Sequence, residues 1–178
     1  MSEKTKIEGE LKMKNYKEVI RRGVFETNSS SAHTISLLSG DTNKTDISGE
    51  IYCSEYSWEQ ETYITPDEKL SYIYTLVASW YGADCSDLKE NETKEDYHDR
   101  FLESRFMILL QEEYPNAEFC DDGGCYGYGY IDHQSIDVFN YEFFNGKYCN
   151  EITDSEFRDA VSKFINEPYM LTTDNDNH

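Results

Sequence analysis

The chain has 178 residues, a length that favours one domain of moderate size. Its 16 Lys and Arg residues stand against 36 Asp and Glu residues, and the formal net charge of −20 excludes a conventional nucleic-acid binder with a basic surface. Hydrophobic residues make up only 38% of the chain, but aromatic residues reach 15%. Disordered acidic chains are poor in aromatics, so this chain can still build a core.

The charge is distributed unevenly along the chain. Residues 1–22 carry a net charge of +3, so the remaining residues carry −23. We expect residues 1–15 to be a flexible basic lead, residues 16–171 to form a single domain and residues 172–178 to be a flexible tail. No apolar run approaches the roughly 20 residues of a membrane helix, and the polar N-terminus does not resemble a signal peptide. The composition therefore predicts a soluble protein of the cytoplasm.

The first half of the chain predicts short strands followed by a helix. Alternating apolar residues predict strands over residues 19–25, 33–38 and, more weakly, 48–56. A helix is predicted over residues 66–81, because Thr65 is a favoured N-cap and Pro66 suits the first helical position. Gly82 would end that helix.

The second half predicts a long helix over residues 94–113, in which the buried positions would be Tyr97, Phe101, Ile108 and Leu109. Residues 117–148 are rich in β-forming side chains, and two hairpin turn signals occur there, at residues 121–124 and at Asn145.

A last helix is predicted from Thr153 to about residue 166, because Thr153 and Glu156 have the spacing of a capping box. The order of elements predicts an α+β fold, in which an antiparallel sheet carries two or three helices.

The first segment with chemical potential is residues 21–34, RRGVFETNSSSAHT. The side chains and backbone N–H groups of Asn28, Ser29, Ser30 and Ser31 can donate to an anion. Glu26 and His33 could act as an acid/base pair beside them. A plain turn whose hydroxyls bond their own backbone explains the same pattern, and the residues alone favour that turn.

The second segment is residues 119–138. A hairpin at residues 121–124 would place Cys120 opposite Cys125, and the strand period would put His133 on the face of Cys125. A zinc site from Cys120, Cys125 and His133, with His33 as a fourth ligand, is conceivable, but the C-x4-C spacing is wider than a zinc knuckle. Close packing of another backbone against Gly127 and Gly129 explains the segment better. We therefore expect no metal and no cofactor.

The excess of acids itself suggests a function. A folded acidic domain can occupy a basic channel that normally holds a phosphate backbone. A merely soluble acidic surface is the simpler alternative. The acids expected to contact such a partner are Glu90, Glu92, Glu95, Asp96, Asp121 and Asp122.

The runs RRGVFETNSSSAH and GYIDHQS resemble small uncharacterised proteins of Firmicute phages and mobile elements, which open with a similar basic-then-FETNSSSxH segment. The resemblance covers residues 21–38 and 130–135. It implies an anti-defence context, in which anti-CRISPR proteins that inhibit Cas9 are the similar functional class.

Two hypotheses follow. The first is a protein that binds and inhibits a host nucleic-acid-handling enzyme such as Cas9, through the acids named above and Asn28 to Ser31. The second is a small hydrolase or nuclease that acts on a phosphodiester with Glu26, His33 and His133. A phage structural or accessory protein without inhibitory activity is a third, simpler interpretation.

Overall fold

The computed structural model describes residues 19–22, 31–38, 45–56, 61–84, 93–120, 130–131 and 133–175. The strands within these residues are β1 (Val19–Arg22), β2 (Ser31–Leu38), β3 (Gly49–Tyr52), β4 (Glu55–Tyr56), β5 (Glu61–Tyr63), β6 (Ala117–Cys120), β7 (Tyr130–Ile131) and β8 (Tyr169–Asn175). The α-helices are α1 (Pro66–Asp84), α2 (Lys94–Leu102), α3 (Arg105–Glu113), α4 (His133–Phe144) and α5 (Asp154–Asn166). A short 3₁₀ helix spans Cys149–Glu151.

The largest sheet is antiparallel and has the strand order β1-β2-β8-β5. At its centre Ile35 of β2 pairs with Leu171 of β8, and both side chains are buried. Helix α4 packs against β2. The predicted α+β fold with an antiparallel sheet is therefore confirmed.

Strand β8 also corrects a predicted boundary. It continues to Asn175 and pairs there with Ser31, so Thr172 and the three residues after it belong to the sheet rather than to a tail. The predicted basic lead, residues 1–15, lies outside the described residues, as do residues 176–178.

Two further strand pairs are parallel. β3 pairs with β6, where Ile51 lies beside Phe119, and β4 pairs with β7, where Tyr56 lies beside Ile131. The apolar side chains of both pairs are buried. β6 and β7 each pair with an upstream strand. The hairpin predicted at residues 121–124 lies outside the described residues.

Helix α1 is the central element of the core. It contacts β3, β7, α3 and α5, and every side chain from Tyr72 to Ala78 is buried. The predicted start at Pro66 is confirmed, and Glu68 caps the first turn by accepting from the Thr65 N–H at 2.9 Å. The predicted end is wrong, because the helix continues through Gly82 to Asp84. Burial on several sides outweighs the low helix propensity of a single glycine.

Aromatic rings fill the core around Phe164 of α5. Its ring centroid lies 5.2 Å from that of Phe139, 5.5 Å from Phe143 and 6.0 Å from Tyr72, in edge-on or tilted geometries. Such contacts stabilise beyond the area that they bury. Aromatic side chains therefore make up much of the core, although the hydrophobic fraction of the chain is modest.

The long helix predicted over residues 94–113 is in fact two helices. Helix α2 ends at its C-cap Glu103, and α3 begins at its N-cap Ser104. The break reorients α3, so the spacing of seven from Phe101 to Ile108 no longer marks one face. Phe101 is fully buried as predicted, but Ile108 is 43% exposed and the prediction for it was wrong.

The prediction that residues 117–148 are rich in β-structure is wrong for residues 133–144, which form helix α4. The sequence holds a helical signal there, since Ile136, Phe139 and Phe143 follow one another at spacings of three and four. The turn signal at Asn145 and Gly146 gives the expected positive φ values, 54° and 73°, but it ends this helix instead of joining two strands.

Candidate acidic interaction surface

Helix α2 presents a row of acidic side chains to solvent. Its start is fixed by a capping box, in which Asp96 accepts hydrogen bonds from the backbone N–H of Thr93 at 2.9 Å and from its hydroxyl at 2.7 Å. The Thr93 hydroxyl in turn accepts from the Asp96 N–H at 3.1 Å. Four side chains are exposed and constitute what we name the α2 acid row: Glu95, Asp96, Asp99 and Glu103.

The α2 acid row is a linear array of like charges, as the phosphate backbone of a nucleic-acid strand is. Glu95, Asp99 and Glu103 follow one another at intervals of four residues, which places them on one helix face. The helical rise spaces the three carboxylates of this face about 6 Å apart. One strand of duplex DNA carries a phosphate about every 3.4 Å along its axis. This face therefore carries roughly half the linear charge density of a single phosphate backbone.

Within the row, Thr93 stabilises the carboxylate form of Asp96. The N–H and hydroxyl of Thr93 lower the pKa of Asp96, because both hydrogen bonds favour the carboxylate. Like charges four residues apart destabilise a helix by roughly a few tenths of a kcal/mol, so the repulsion among Glu95, Asp99 and Glu103 does not serve the stability of α2.

The opposite face of α2 attaches the helix to α1. Phe101 is buried and stacks on Tyr74. The Arg100 guanidinium lies 5.0 Å from the ring centroid of Tyr97 and donates a hydrogen bond of 2.7 Å to the hydroxyl of Tyr81. This aromatic attachment turns the acids of the row towards solvent.

A second acidic face lies on the β3–β6 pair. The parallel register places Glu50 beside Glu118 and Tyr52 beside Cys120, while the residues between them face the core. Asp121 and Asp122 follow Cys120 directly in the sequence. The hydrogen bond of Tyr52 to the Glu50 carboxylate, 2.9 Å long, raises the pKa of the tyrosine to about 12.

The surroundings of Cys120 disfavour the thiolate form of its side chain. Burial raises the pKa of its thiol, and the nearby carboxylates of Glu118 and Glu50 raise it further. Cys53, Cys120 and Cys149 are reduced in the structure. Within the described ranges, no three His, Cys, Asp or Glu side chains are placed to hold a metal ion.

The predicted contact residues are placed as follows. Glu95 and Asp96 are exposed on α2, and Ser31 is the first residue of β2. The others lie outside the described residues: Glu26, Asn28, Ser29, Ser30, Glu90, Glu92, Asp121 and Asp122.

The two histidines of the hydrolase hypothesis are on neighbouring elements. His33 lies in β2 opposite Thr173, and His133 is the first residue of α4, which packs against β2. The expectation that His133 shares a strand face with Cys125 is wrong, because His133 begins a helix. The positions of both imidazole rings lie outside the described part of the structure.

Four acidic positions were not identified from the sequence. Asp99 and Glu103 could have been found, because they continue the four-residue spacing that starts at Glu95. Glu50 and Glu118 carry no such local signal, because only the pairing of β3 with β6 brings them together.

Several basic side chains are committed to internal ion pairs. Arg105 pairs with Asp154, Lys147 with Glu156 and Arg158 with Glu112. These pairs join α3 or the α4–α5 connection to α5 and lie outside α2. They hold the fold together without contributing a cation to the α2 acid row.

Comparisons of the chain with protein-family models, with curated proteins and with solved structures found no match. Among the helices that the structure describes, none is both long and apolar enough to cross a membrane.

Proposed function

We propose that this protein binds the basic nucleic-acid groove of a host enzyme and inhibits that enzyme by excluding its nucleic acid. The α2 acid row is the observation that carries the proposal. Its four exposed carboxylates combine a fixed helical spacing with a capped, rigid helix start. A rigid row loses less conformational freedom on binding than acids on a loose chain do.

Binding of this kind is driven by the same terms as binding of a nucleic acid. A basic groove releases counterions when an acidic surface replaces the phosphates, so affinity falls steeply with salt. Exposed aromatic side chains provide anchors in such interfaces. Tyr148 is 74% exposed and Tyr141 is 61% exposed, so both are accessible to a partner.

The resemblance of residues 21–38 to phage and mobile-element proteins suggests the identity of the partner. We propose an RNA-guided nuclease such as Cas9, whose positively charged channel holds a guide–target heteroduplex by its backbone. The protein would then act as an anti-CRISPR factor in the cytoplasm of the bacterial host.

The test compares two variants that remove the same amount of charge. The row variant combines Glu95→Gln, Asp99→Asn and Glu103→Gln and keeps the capping residue Asp96. The matched control combines Asp46→Asn, Asp67→Asn and Asp159→Asn, three exposed acids outside α2 and outside the second acidic face. Each variant is titrated into a cleavage assay with purified Cas9 and guide RNA.

We expect the wild-type protein and the control to inhibit cleavage, and the row variant to need at least about tenfold more protein. Equal inhibition by the row variant and the control would show that the position of the acids is irrelevant. No inhibition by the wild-type protein would reject Cas9 as the partner. A pull-down from host lysate at low and high salt then shows whether another nucleic-acid enzyme is retained.

A phosphodiester hydrolase is a second candidate, favoured by the contact between β2 and α4. That contact places the elements that carry His33 and His133 side by side. Two histidines could then act as acid and base, with Glu26 orienting one of them. Release of nucleotides from RNA by the wild-type protein, lost in His33→Ala but not in His98→Ala, would support this activity. Intact RNA after incubation with the wild-type protein would reject it.

A further inference from the structure

Arg100 is the basic residue of α2 that stands at ion-pairing spacing from the α2 acid row. It follows Asp96 by four residues and precedes Glu103 by three, and side chains at these two spacings are neighbours on a helix surface. An acid four residues before a base is also the favourable order for an ion pair within a helix. Lys94, the other basic residue of α2, has no acid three or four residues after it. Arg100 is therefore the cation that local helix geometry would place against the row.

The guanidinium of Arg100 instead contacts α1. Its Nη1 donates a hydrogen bond of 2.7 Å to the hydroxyl of Tyr81, and its central carbon lies 5.7 Å from the centroid of that ring. The same carbon lies 5.0 Å from the ring centroid of Tyr97. The rings of Tyr81 and Tyr97 meet edge to face, with their centroids 5.6 Å apart. The two tyrosines together therefore hold the cation.

The contacts with the tyrosines are stronger than the ion pair that they replace. A hydrogen bond from a charged donor and a cation–π contact each stabilise more than an exposed ion pair between residues four apart in a helix. Arg100 is also partly buried, whereas Asp96 and Glu103 are exposed. Asp96 meanwhile accepts its hydrogen bonds from Thr93. The carboxylates of the row thus keep their charge for a partner.

We propose that Tyr81 is a positioning residue of the α2 acid row, because its hydroxyl holds the Arg100 cation away from the carboxylates. Without that hydrogen bond the guanidinium would turn to Asp96 or Glu103 and neutralise one charge of the row. The inference rests on the function proposed for the row. It adds a residue of α1 that acts on partner binding through Arg100.

The experiment measures the binding of a decalysine peptide by NMR, at the backbone N–H signals of Glu95, Asp99 and Glu103. The peptide has the chemistry of a basic groove, so the measurement does not require Cas9. Only signals of α2 are followed, because the peptide also contacts other parts of an acidic surface. The affinity obtained is therefore that of the row.

Single and double variants separate the effect of charge from a general effect on stability. Tyr81→Phe removes the hydroxyl and keeps the ring, whose centroid lies 5.3 Å from that of Phe101. Arg100→Gln removes the cation, and a double variant combines the two substitutions. Tyr56→Phe is the matched control, because it removes a tyrosine hydroxyl on β4 that donates to Ser71 Oγ at 2.9 Å.

We expect Tyr81→Phe to bind the peptide about fivefold more weakly at low salt, the ratio that corresponds to one exposed charge contact in water. Arg100→Gln should bind at least as tightly as the wild-type protein, and Tyr56→Phe should bind equally well. The double variant should regain the affinity of Arg100→Gln, because no cation remains to neutralise the row. A loss caused only by a loosened α2 would persist in the double variant.

Three results would overturn the role of Tyr81. They are unchanged binding in Tyr81→Phe, a double variant as weak as Tyr81→Phe, and a wild-type protein whose α2 signals do not respond to the peptide. Failure of the proposed function gives a different result. A wild-type protein that binds the peptide with the expected effects of the variants, but leaves Cas9 active, would reject the partner and support the role of Tyr81.

Discussion

Lys69 and Glu167 are joined by a hydrogen bond, although they lie 98 positions apart in the sequence. The ammonium Nζ of Lys69 donates to the carbonyl oxygen of Glu167 at 2.8 Å. The same oxygen accepts from the Tyr169 N–H at 2.7 Å, where the chain passes from α5 to β8. Lys69 is only 2% exposed, and burial lowers its pKa to about 8 against the opposing effect of Glu167 and Glu68.

The buried lysine makes stability depend on pH in a defined direction. Its pKa in the unfolded chain is about 10.4, so between pH 8 and 10.4 the unfolded state binds more protons than the folded state. The free energy of unfolding should therefore rise with pH over this window, by on the order of 2 kcal/mol from this residue. Lys69→Met should remove that rise, as measured by urea unfolding at pH 7, 9 and 10.

Lys163→Met is the control for this measurement, because Lys163 is exposed on α5. It should retain the slope of the wild-type protein. Tyrosines and cysteines titrate in the same range, so the difference between the two variants is the relevant quantity. If the free energy of unfolding depends on pH identically in Lys69→Met and Lys163→Met, the pH dependence does not arise from Lys69.

Glu156 should titrate far below an ordinary carboxyl group. Its hydrogen bond from Lys147, followed by those from the N–H and hydroxyl of Thr153, lowers its pKa to about 2. The stabilisation is present above the ordinary carboxyl pKa and is lost as the pH falls through about 2. An NMR titration of the Glu156 carboxyl carbon should give this value in the wild-type protein and a clearly higher one in Lys147→Met.

Arg158→Met supplies the comparison for Glu156. Arg158 is on the same helix but pairs with Glu112 and Glu113 of α3. Arg158→Met should therefore leave the pKa of Glu156 unchanged. A Glu156 titration that responds equally to both substitutions would point to general charge effects instead of the local bond.

Gly146 should resist substitution because of its backbone conformation. It follows Asn145 in a left-handed pair, with φ of 73°, and its N–H donates to the carbonyl oxygen of Asn140 at 3.0 Å. A Cβ added there would meet no atom within 4 Å, so the cost of a substitution comes only from the positive φ, which residues other than glycine disfavour. Gly146→Ala should lower the free energy of unfolding by about 1 kcal/mol, measured by urea denaturation.

Gly49 provides a comparison for the effect of substituting Gly146. Its φ is 110°, farther from the left-handed region that other residues tolerate, and a Cβ there also meets no atom within 4 Å. Gly49→Ala should therefore cost more than Gly146→Ala. The reverse order would show that something other than backbone conformation decides the two losses.

The α2 acid row should set the salt dependence of partner binding. The logarithm of the binding constant falls linearly with the logarithm of salt concentration, by about one unit per charge contact. Neutralising Glu95, Asp99 and Glu103 should make this slope shallower by up to about three units if all three contact the partner. Isothermal titration at several salt concentrations measures the slope. An unchanged slope would place the contact elsewhere on the surface.

Features encoded within a few residues could be predicted from the sequence. Thr153 and Glu156 form the predicted capping box, and Pro66 begins α1 as predicted. Asn145 and Gly146 adopt the positive φ values that their types favour. Caps and turns depend on contacts between near neighbours, and those contacts are already determined when the local sequence is known.

The type of element that flanks each of these caps and turns was decided by the tertiary structure alone. The left-handed pair ends a helix because α4 packs against β2 and its Phe139 and Phe143 rings contact Phe164 of α5, where a strand was predicted. Glu50 and Glu118 become neighbours only because β6 returns parallel to β3 across the intervening helices. The sequence by itself determined the acidity, the aromatic content of the core and the starts of α1, α2 and α5. The choice of strand partner depended on which faces could be buried together, a property of the whole chain that no local pattern contains.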